Sequence, residues 1–188
     1  MERKILLASK SPRRREIMKL LRIPFTVVTI DGVSESYPAD LPADKVAVYI
    51  SNEKADIFLE RIGDNEIIIT ADTVVICEDK ILGKPSDAEE AVRMLKFLSG
   101  KTHKVTTGVT VATKTKRESF SSESLVTFAE LTDEEINFYV DMYHPLDKAG
   151  AYGIQEWIGA VAVEKIDGSF YNVMGLPVHR LYQVLKNF

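Results

Sequence analysis

Glu66-Ile67-Ile68-Ile69-Thr70-Ala71-Asp72-Thr73-Val74-Val75-Ile76-Cys77 carries isoleucine and valine on consecutive positions. A strand open to water on one face alternates apolar and polar residues, whereas a strand covered on both faces does not. This stretch therefore predicts the centre of a sheet with helices packed on it, and assigns the chain to the α/β class. It also holds Asp72, a carboxylate whose burial without a partner would cost several kcal/mol. The alternative, a strand that stops at Thr70 and leaves Asp72 in a turn, conflicts with the branched run through Ile76. Asp72 needs a metal ion, an arginine or a lysine beside it, and a carboxylate at a strand end is well placed to orient and deprotonate water.

On the N-terminal side, Arg3 to Ala8 predicts a short buried strand, and Ile17, Leu20 and Leu21 predict a helix reaching Leu21. Phe25 to Ile30 predicts a second strand, and Val33 to Pro42 a polar loop placed to wall a site. Ala43 to Arg61 predicts a long helix with Val46, Ala47, Ile50, Ile57 and Phe58 on one stripe. On the C-terminal side, Asp87 to Leu98 predicts a helix capped by Ser86 or Asp87 and stopped by Gly100. Val105 to Thr113 and Ser119 to Phe128 predict a hairpin. Thr132 and Glu135 form a capping-box signal for a helix over Asp133 to Met142, ended by His144-Pro145. Leu146 to Ile158 has glycines and no clear period. Ala160 to Ile166 predicts a strand turning at Asp167-Gly168, and a last helix follows with Pro177 in its first turn.

The 188 residues include 28 acids and 24 bases, for a formal net charge of −4. At this length folding buries about 70% of the surface of the unfolded chain, enough for one core or two small lobes. One cysteine (Cys77) and three scattered histidines exclude a disulfide framework and a cysteine-rich zinc cluster. Arg3 and Lys4 precede only Ile5 to Ala8, too few apolar residues for a signal-peptide core. The longest apolar stretch is interrupted by Thr70, Asp72 and Thr73 and falls short of the roughly 18 residues of a membrane helix. These features predict a cytoplasmic protein with neither a membrane nor a nucleic-acid partner. In an acidic chain, an anionic ligand has to be met by a local cluster of bases.

Ala8-Ser9-Lys10-Ser11-Pro12-Arg13-Arg14-Arg15 supplies such a cluster. It follows a strand and opens a helix, with Ser11 as N-cap and Pro12 at the first helical position. The free N–H groups and positive dipole of that end attract anions. Three arginines in a first turn oppose the dipole, at about 0.3 to 1 kcal/mol each, so helix stability does not explain them. A bound phosphate does, with Arg15 as the solvated member.

Lys54 lies on the stripe of the long helix and points inward or snorkels at its edge. Lys84 sits in the short turn Leu82-Gly83-Lys84-Pro85, and Glu35 and Glu53 offer further carboxylates. Hard oxygen ligands favour magnesium or manganese over zinc.

Five blocks run nearly end to end: Ala8-Ser9-Lys10-Ser11-Pro12-Arg13-Arg14, Glu53-Lys54-Ala55, Ala71-Asp72-Thr73, Gly83-Lys84-Pro85 and Asp147-Lys148-Ala149-Gly150-Ala151-Tyr152-Gly153-Ile154-Gln155. In this order they resemble the Maf family of nucleoside triphosphate pyrophosphatases, and the Tyr-Gly-Ile-Gln ending resembles the branch acting on dTTP and UTP. The resemblance implies a single domain over residues 1–188. It implies a mixed central sheet with flanking helices and two lobes around a nucleotide cleft, as in Maf and inosine triphosphatase-like proteins. It implies hydrolysis of a small-molecule nucleoside triphosphate to the monophosphate and pyrophosphate, with a divalent metal cation, magnesium or manganese.

Residue by residue, the resemblance implies that Asp72 is the proton acceptor and that Arg13, Thr73 and Gln155 bear on substrate choice. Ser9, Arg14, Lys54 and Lys84 match residues lining the phosphate cleft, and Glu35 joins Asp72 as a metal-associated acid. Thr70 stands where glycine is common in the family, which implies tighter packing there. Gln155 carries one acceptor and a donor pair, which complement N3–H and a carbonyl of uracil or thymine, whereas cytosine lacks that N3–H. A homodimer is compatible with the resemblance. Two competing expectations are a nucleotide-binding regulator of septum formation, which has no need of Asp72, and a house-cleaning enzyme for non-canonical purine nucleotides.

Overall fold

Ile5, Leu6, Leu7 and Ala8 are consecutive, apolar and buried, and they form strand β1 (Lys4–Ala8) inside the sheet. The computed structural model describes residues 3–29 and 35–188. β1 pairs in parallel with β2 (Phe25–Val28) on one side and with β3 (Glu66–Cys77) on the other. β3 has the bounds expected from its branched run, and Asp72 lies within it. β4 (Lys80–Leu82) returns antiparallel along the end of β3. The remaining strands are β5 (Thr102–Ala112), β6 (Arg117–Phe128) and β7 (Val163–Asp167). The order is β2-β1-β3-β5-β6-β7, with β4 beside β3, and β6 pairs antiparallel with β7. The sheet is mixed, and the class is α/β as expected.

The chain divides into two compact units. One comprises Met1–Thr73, Thr107–Ser122 and Gly175–Phe188. Its helices are α1 (Pro12–Lys19) and α2 (Ala43–Leu59), and the last helix of the chain belongs to it too. Ser11 accepts from Arg14 N–H and caps α1, with Pro12 at its start, as the sequence predicts. α2 buries Val46, Ala47, Ile50, Ala55 and Phe58, and Phe58 packs with Leu6, Ala8, Ile68 and Ala112. Gly108 of β5 is a glycine for a steric reason. A Cβ there would stand 2.2 Å from the Val48 backbone nitrogen, so only glycine lets β5 and α2 come this close.

The second unit comprises Val74–Thr106 and Glu123–Met174. α3 (Ala88–Leu98), capped by Asp87, buries Ala91, Met94, Leu95 and Leu98 at helical spacing. α4 (Asp133–Tyr143) carries the complete Thr132–Glu135 capping box and buries Ile136, Tyr139 and Val140. Its core joins these to Phe128, Ile154 and Ile158, and each fully buried large side chain contributes about 1.5 to 3 kcal/mol. A 3-10 turn at Ala149–Ala151 and α5 (Trp157–Ala162) shape the glycine-bearing stretch.

Several sequence expectations need correction. Ala160 to Ala162 belong to α5, so β7 starts at Val163: the alanines favour a helix, and Ile158 and Ala162, four apart, are the residues that become buried. α6 (Phe170–Val173) precedes α7 (Val178–Leu185), whose Pro177 is the N-cap residue and not part of the first turn. α1 and α2 each stop two residues before the predicted end. Of the second strand and polar loop, Ile30, Val33 and Ser34 lie outside the described residues.

Candidate active site

The parallel strands end in step. Ala8 is level with Val28 of β2 and with Thr70 of β3. Past that edge β1 turns into the loop of residues 9–11 that opens α1, and β3 runs on to Cys77, carrying Asp72 beyond the last residue paired with β1. The carboxyl ends of parallel strands are where α/β proteins place their sites.

Asp72 is 8% exposed, and its partner is a lysine. Lys54 Nζ donates to Asp72 Oδ1 at 2.8 Å and to Glu35 Oε1 at 2.8 Å. Lys54 is itself nearly buried, its side chain 14% exposed, so it faces inward and does not snorkel. The helix that carries it is tied to β3 by Thr70, whose hydroxyl donates to the Ser51 carbonyl at 2.6 Å. Ser51 in turn donates to the Val48 carbonyl and shares a hydroxyl contact of 2.9 Å with Thr110. Thr70 thus ties together the two elements that bear Asp72 and Lys54.

Arg14 straddles Asp72. Its Nη1 donates to the Ala71 carbonyl at 2.9 Å, its Nη2 to the Thr73 hydroxyl at 3.1 Å, and its Nε to the Gly175 carbonyl at 2.7 Å. Thr73 also shares a hydroxyl contact of 2.8 Å with Thr107. Burial lowers the Arg14 guanidinium from its ordinary value, opposed by the Asp72 carboxylate and reinforced by Arg13. These couplings place Arg13, Arg14, Asp72 and Glu35 in one field. Ser9 is buried, and its hydroxyl accepts from Ser11 N–H at 3.2 Å, which shapes the loop. Arg15 folds back so that Nη2 donates to the Lys10 carbonyl at 3.4 Å, a turn-closing role and not the purely solvated one expected. Glu53 is exposed.

Lys84 and Gln155 belong to the other unit and are exposed there. The two segments are linked: Gly150 N–H donates to the Gly83 carbonyl at 3.0 Å. A second lysine-centred group includes Glu156, the residue after Gln155. Lys148, with a side chain 8% exposed, lies 2.7 Å from Asp147 Oδ1 and 3.2 Å from Glu156 Oε1. The Tyr139 hydroxyl donates to Glu156 Oε2 and accepts from Gly153 N–H at 3.0 Å. Burial first, then the Glu156 hydrogen bond, raises the Tyr139 phenol well above its usual value, so it stays an O–H donor. His103 Nε2 meets the Tyr152 hydroxyl at 2.7 Å. Lys148 lies within the block of residues 147–155, and the local sequence marks neither it nor Glu156 nor Tyr139 as part of a site beyond the signal of a lysine amid small residues.

A family model described as Maf-like protein matches residues 4–188. The chain belongs to the Maf family. A dTTP/UTP pyrophosphatase of Porphyromonas gingivalis strain W83 is 52% identical over 187 residues, covering 98% of this chain and 94% of its own. One from Parabacteroides distasonis is 54% identical over 185 residues, covering 98% and 96%. One from Bacteroides thetaiotaomicron is 53% identical over 182 residues, covering 97% and 94%. Among solved structures, a HAM1 protein from Coxiella burnetii aligns over 98% of this chain and 99% of its own, at 14% identity and a TM-score of 0.49, a likeness too slight to carry an argument. No helix among the described residues of this Maf protein is long and apolar enough to cross a membrane.

Proposed function

We propose that this Maf protein is a pyrophosphatase that hydrolyses dTTP and UTP between the α- and β-phosphates, releasing the monophosphate and pyrophosphate. The observation that carries the chemistry is Lys54 bridging Asp72 and Glu35 where β3 outruns β1, beside the arginine-rich start of α1. Asp72 takes the proton of the attacking water, a contribution of roughly 10² to 10⁴-fold. Lys54 orients it and meets negative charge as the anhydride bond breaks. Ser9 and Arg13 receive phosphate oxygens at the helix start, and Lys84 supplies a further cation.

Arg14 has a part in addition to the phosphate ligand expected of it. Three of its N–H directions are committed to Ala71, Thr73 and Gly175, so it holds the strand on either side of Asp72 in place. Thr73 takes its bearing on substrate choice through the same clamp. Gln155 reads the base.

Glu35 and Asp72 converge on one cationic position, now taken by an ammonium, and hard oxygen donors suit magnesium or manganese. No group of three or more His, Cys, Asp or Glu among the described residues forms a metal-binding arrangement. A divalent ion held by Glu35 and Asp72 would therefore draw its other ligands from phosphate and water, and would supply charge neutralisation for the leaving pyrophosphate. The proposal places the enzyme in the cytoplasm, where the single buried thiol of Cys77 stays reduced.

Incubation with each nucleoside triphosphate and manganese tests the function. The expected result is pyrophosphate and monophosphate from dTTP and UTP in preference to dCTP and purine nucleotides. Nucleotide bound and returned intact would favour a binding-only regulator, and preference for non-canonical purines would overturn the pyrimidine assignment.

A further inference from the structure

An amide can be turned over. With Oε1 outward, glutamine accepts the N3–H of uracil or thymine. Turned over, its NH₂ donates to the bare N3 of cytosine and its oxygen accepts from the exocyclic amine. A glutamine therefore discriminates these bases only if something fixes which end faces the ligand.

The surroundings of Gln155 contain such a device. A Cβ on Gly153 would stand 3.0 Å from Gln155 Nε2, 2.8 Å from the Glu156 carboxyl carbon and 3.0 Å from Glu156 Oε2. The amide nitrogen and the carboxylate thus close on the same point, over a glycine whose missing side chain leaves them that space. A carboxylate only accepts, so an amide beside it is favoured with its NH₂ end toward the carboxylate and Oε1 turned away. Glu156 is fixed in turn from two sides, by the Tyr139 hydroxyl on Oε2 and by Lys148 on Oε1. The same hydroxyl accepts from Gly153 N–H, so backbone and carboxylate share one buried anchor. Tyr139 is fully buried and Lys148 nearly so, while Gln155 itself is exposed.

We propose that Glu156, held by Tyr139 and Lys148, sets the orientation of the Gln155 amide and thereby the preference for uracil and thymine over cytosine. Tyr139, Lys148 and Glu156 are positioning residues, acting through Gln155. The inference rests on Gln155 reading the base, and its test separates the two.

The experiment measures kcat and KM on dTTP and dCTP for the full-length protein and for Gln155→Ala, Glu156→Gln and Tyr139→Phe, with thermal midpoints alongside. Glu156→Gln keeps shape and an acceptor for Tyr139 while removing the charge, and it covers the case that Tyr139→Phe folds poorly. The expected result is a fall in the dTTP/dCTP ratio of kcat/KM by roughly tenfold or more in both positioning variants. It is carried by a higher KM for dTTP and a lower KM for dCTP, with kcat on dTTP within about twofold. Glu156→Asp, which keeps the charge, should recover part of the ratio. Equal losses on both nucleotides, tracking the thermal midpoint, would overturn the proposal while leaving Gln155 as reader. An unchanged ratio in Gln155→Ala would overturn the base-reading role itself.

Discussion

The two units each hold a nearly buried lysine between two carboxylates, and the two groups behave as opposites. Lys54 sits at 2.8 Å from both Asp72 and Glu35, and Lys148 at 2.7 Å from Asp147 and 3.2 Å from Glu156. Each group carries a net charge of −1. In the first, the acids come from a strand and from a loop that is 43% exposed at Glu35, at the edge where parallel strands end. Phosphate or a metal ion can reach it and exchange partners with the ammonium. In the second, Glu156 is fastened to a buried tyrosine that also holds the backbone at Gly153. On the proposed reading, the same three charges make a reactive centre when they stay exchangeable and a positioning element when hydrogen bonds to the core lock them.

Removing the two lysines tests this contrast most sharply. Lys54→Met should lower kcat on dTTP by about 10² to 10³-fold, the size of losing a preorganised charge, and should lower the thermal midpoint as well, because Asp72 is left buried without its ammonium. A variant with near-normal turnover would make the first group merely structural.

The second unit should also respond to acid through His103. Burial pushes its imidazole down to about 4 from the ordinary 6.5. As pH falls the unfolded chain binds this proton first. The stability contribution is therefore complete above about pH 6.5, declines toward pH 4 and then levels off, a loss of up to about 3 kcal/mol. Thermal melts across that range check it, and His103→Gln should flatten the slope. A wild-type midpoint indifferent to pH there would refute a neutral buried imidazole.

Lys148→Met should cost roughly 2 kcal/mol of stability, because it leaves Glu156 without its ammonium in a partly buried site. Denaturant unfolding measures this, and kcat on dTTP should stay within a fewfold of wild type. A large loss of kcat at unchanged stability would erase the distinction between the groups.

Gly153→Ala is the mildest change. Its methyl group meets only the flexible ends of Gln155 and Glu156, so stability should fall by less than about 1 kcal/mol. The dTTP/dCTP ratio should fall nonetheless, and nucleotide competition assays read it.

What the sequence made legible follows distance along the chain. β3 has its predicted bounds because its branched residues state their own environment. Ser11, Pro12 and the Thr132–Glu135 pair sit as expected because caps are settled within four residues. Asp72 demanded a buried cation, and Lys54 on the stripe of α2 was among the candidates. The partners of Arg14 were not legible because they lie 57, 59 and 161 residues away, and no local pattern encodes backbone carbonyls as partners. Tyr139 carries no local signal of a site, and its hydroxyl acquires meaning only when the glycine-bearing loop folds against it. β4, three residues long, is too short to show a period.

The central claim is that Asp72, organised by Lys54 and Arg14, is the base of a hydrolytic step that the first unit's charges make possible. Asp72→Asn, isosteric and neutral, tests it when the Kd for dTTP and the single-turnover rate of pyrophosphate release are measured on the same preparation with manganese. The account predicts a Kd within a fewfold of wild type and a rate lower by about 10² to 10⁴-fold. A variant that binds and hydrolyses dTTP at near the wild-type rate would contradict it.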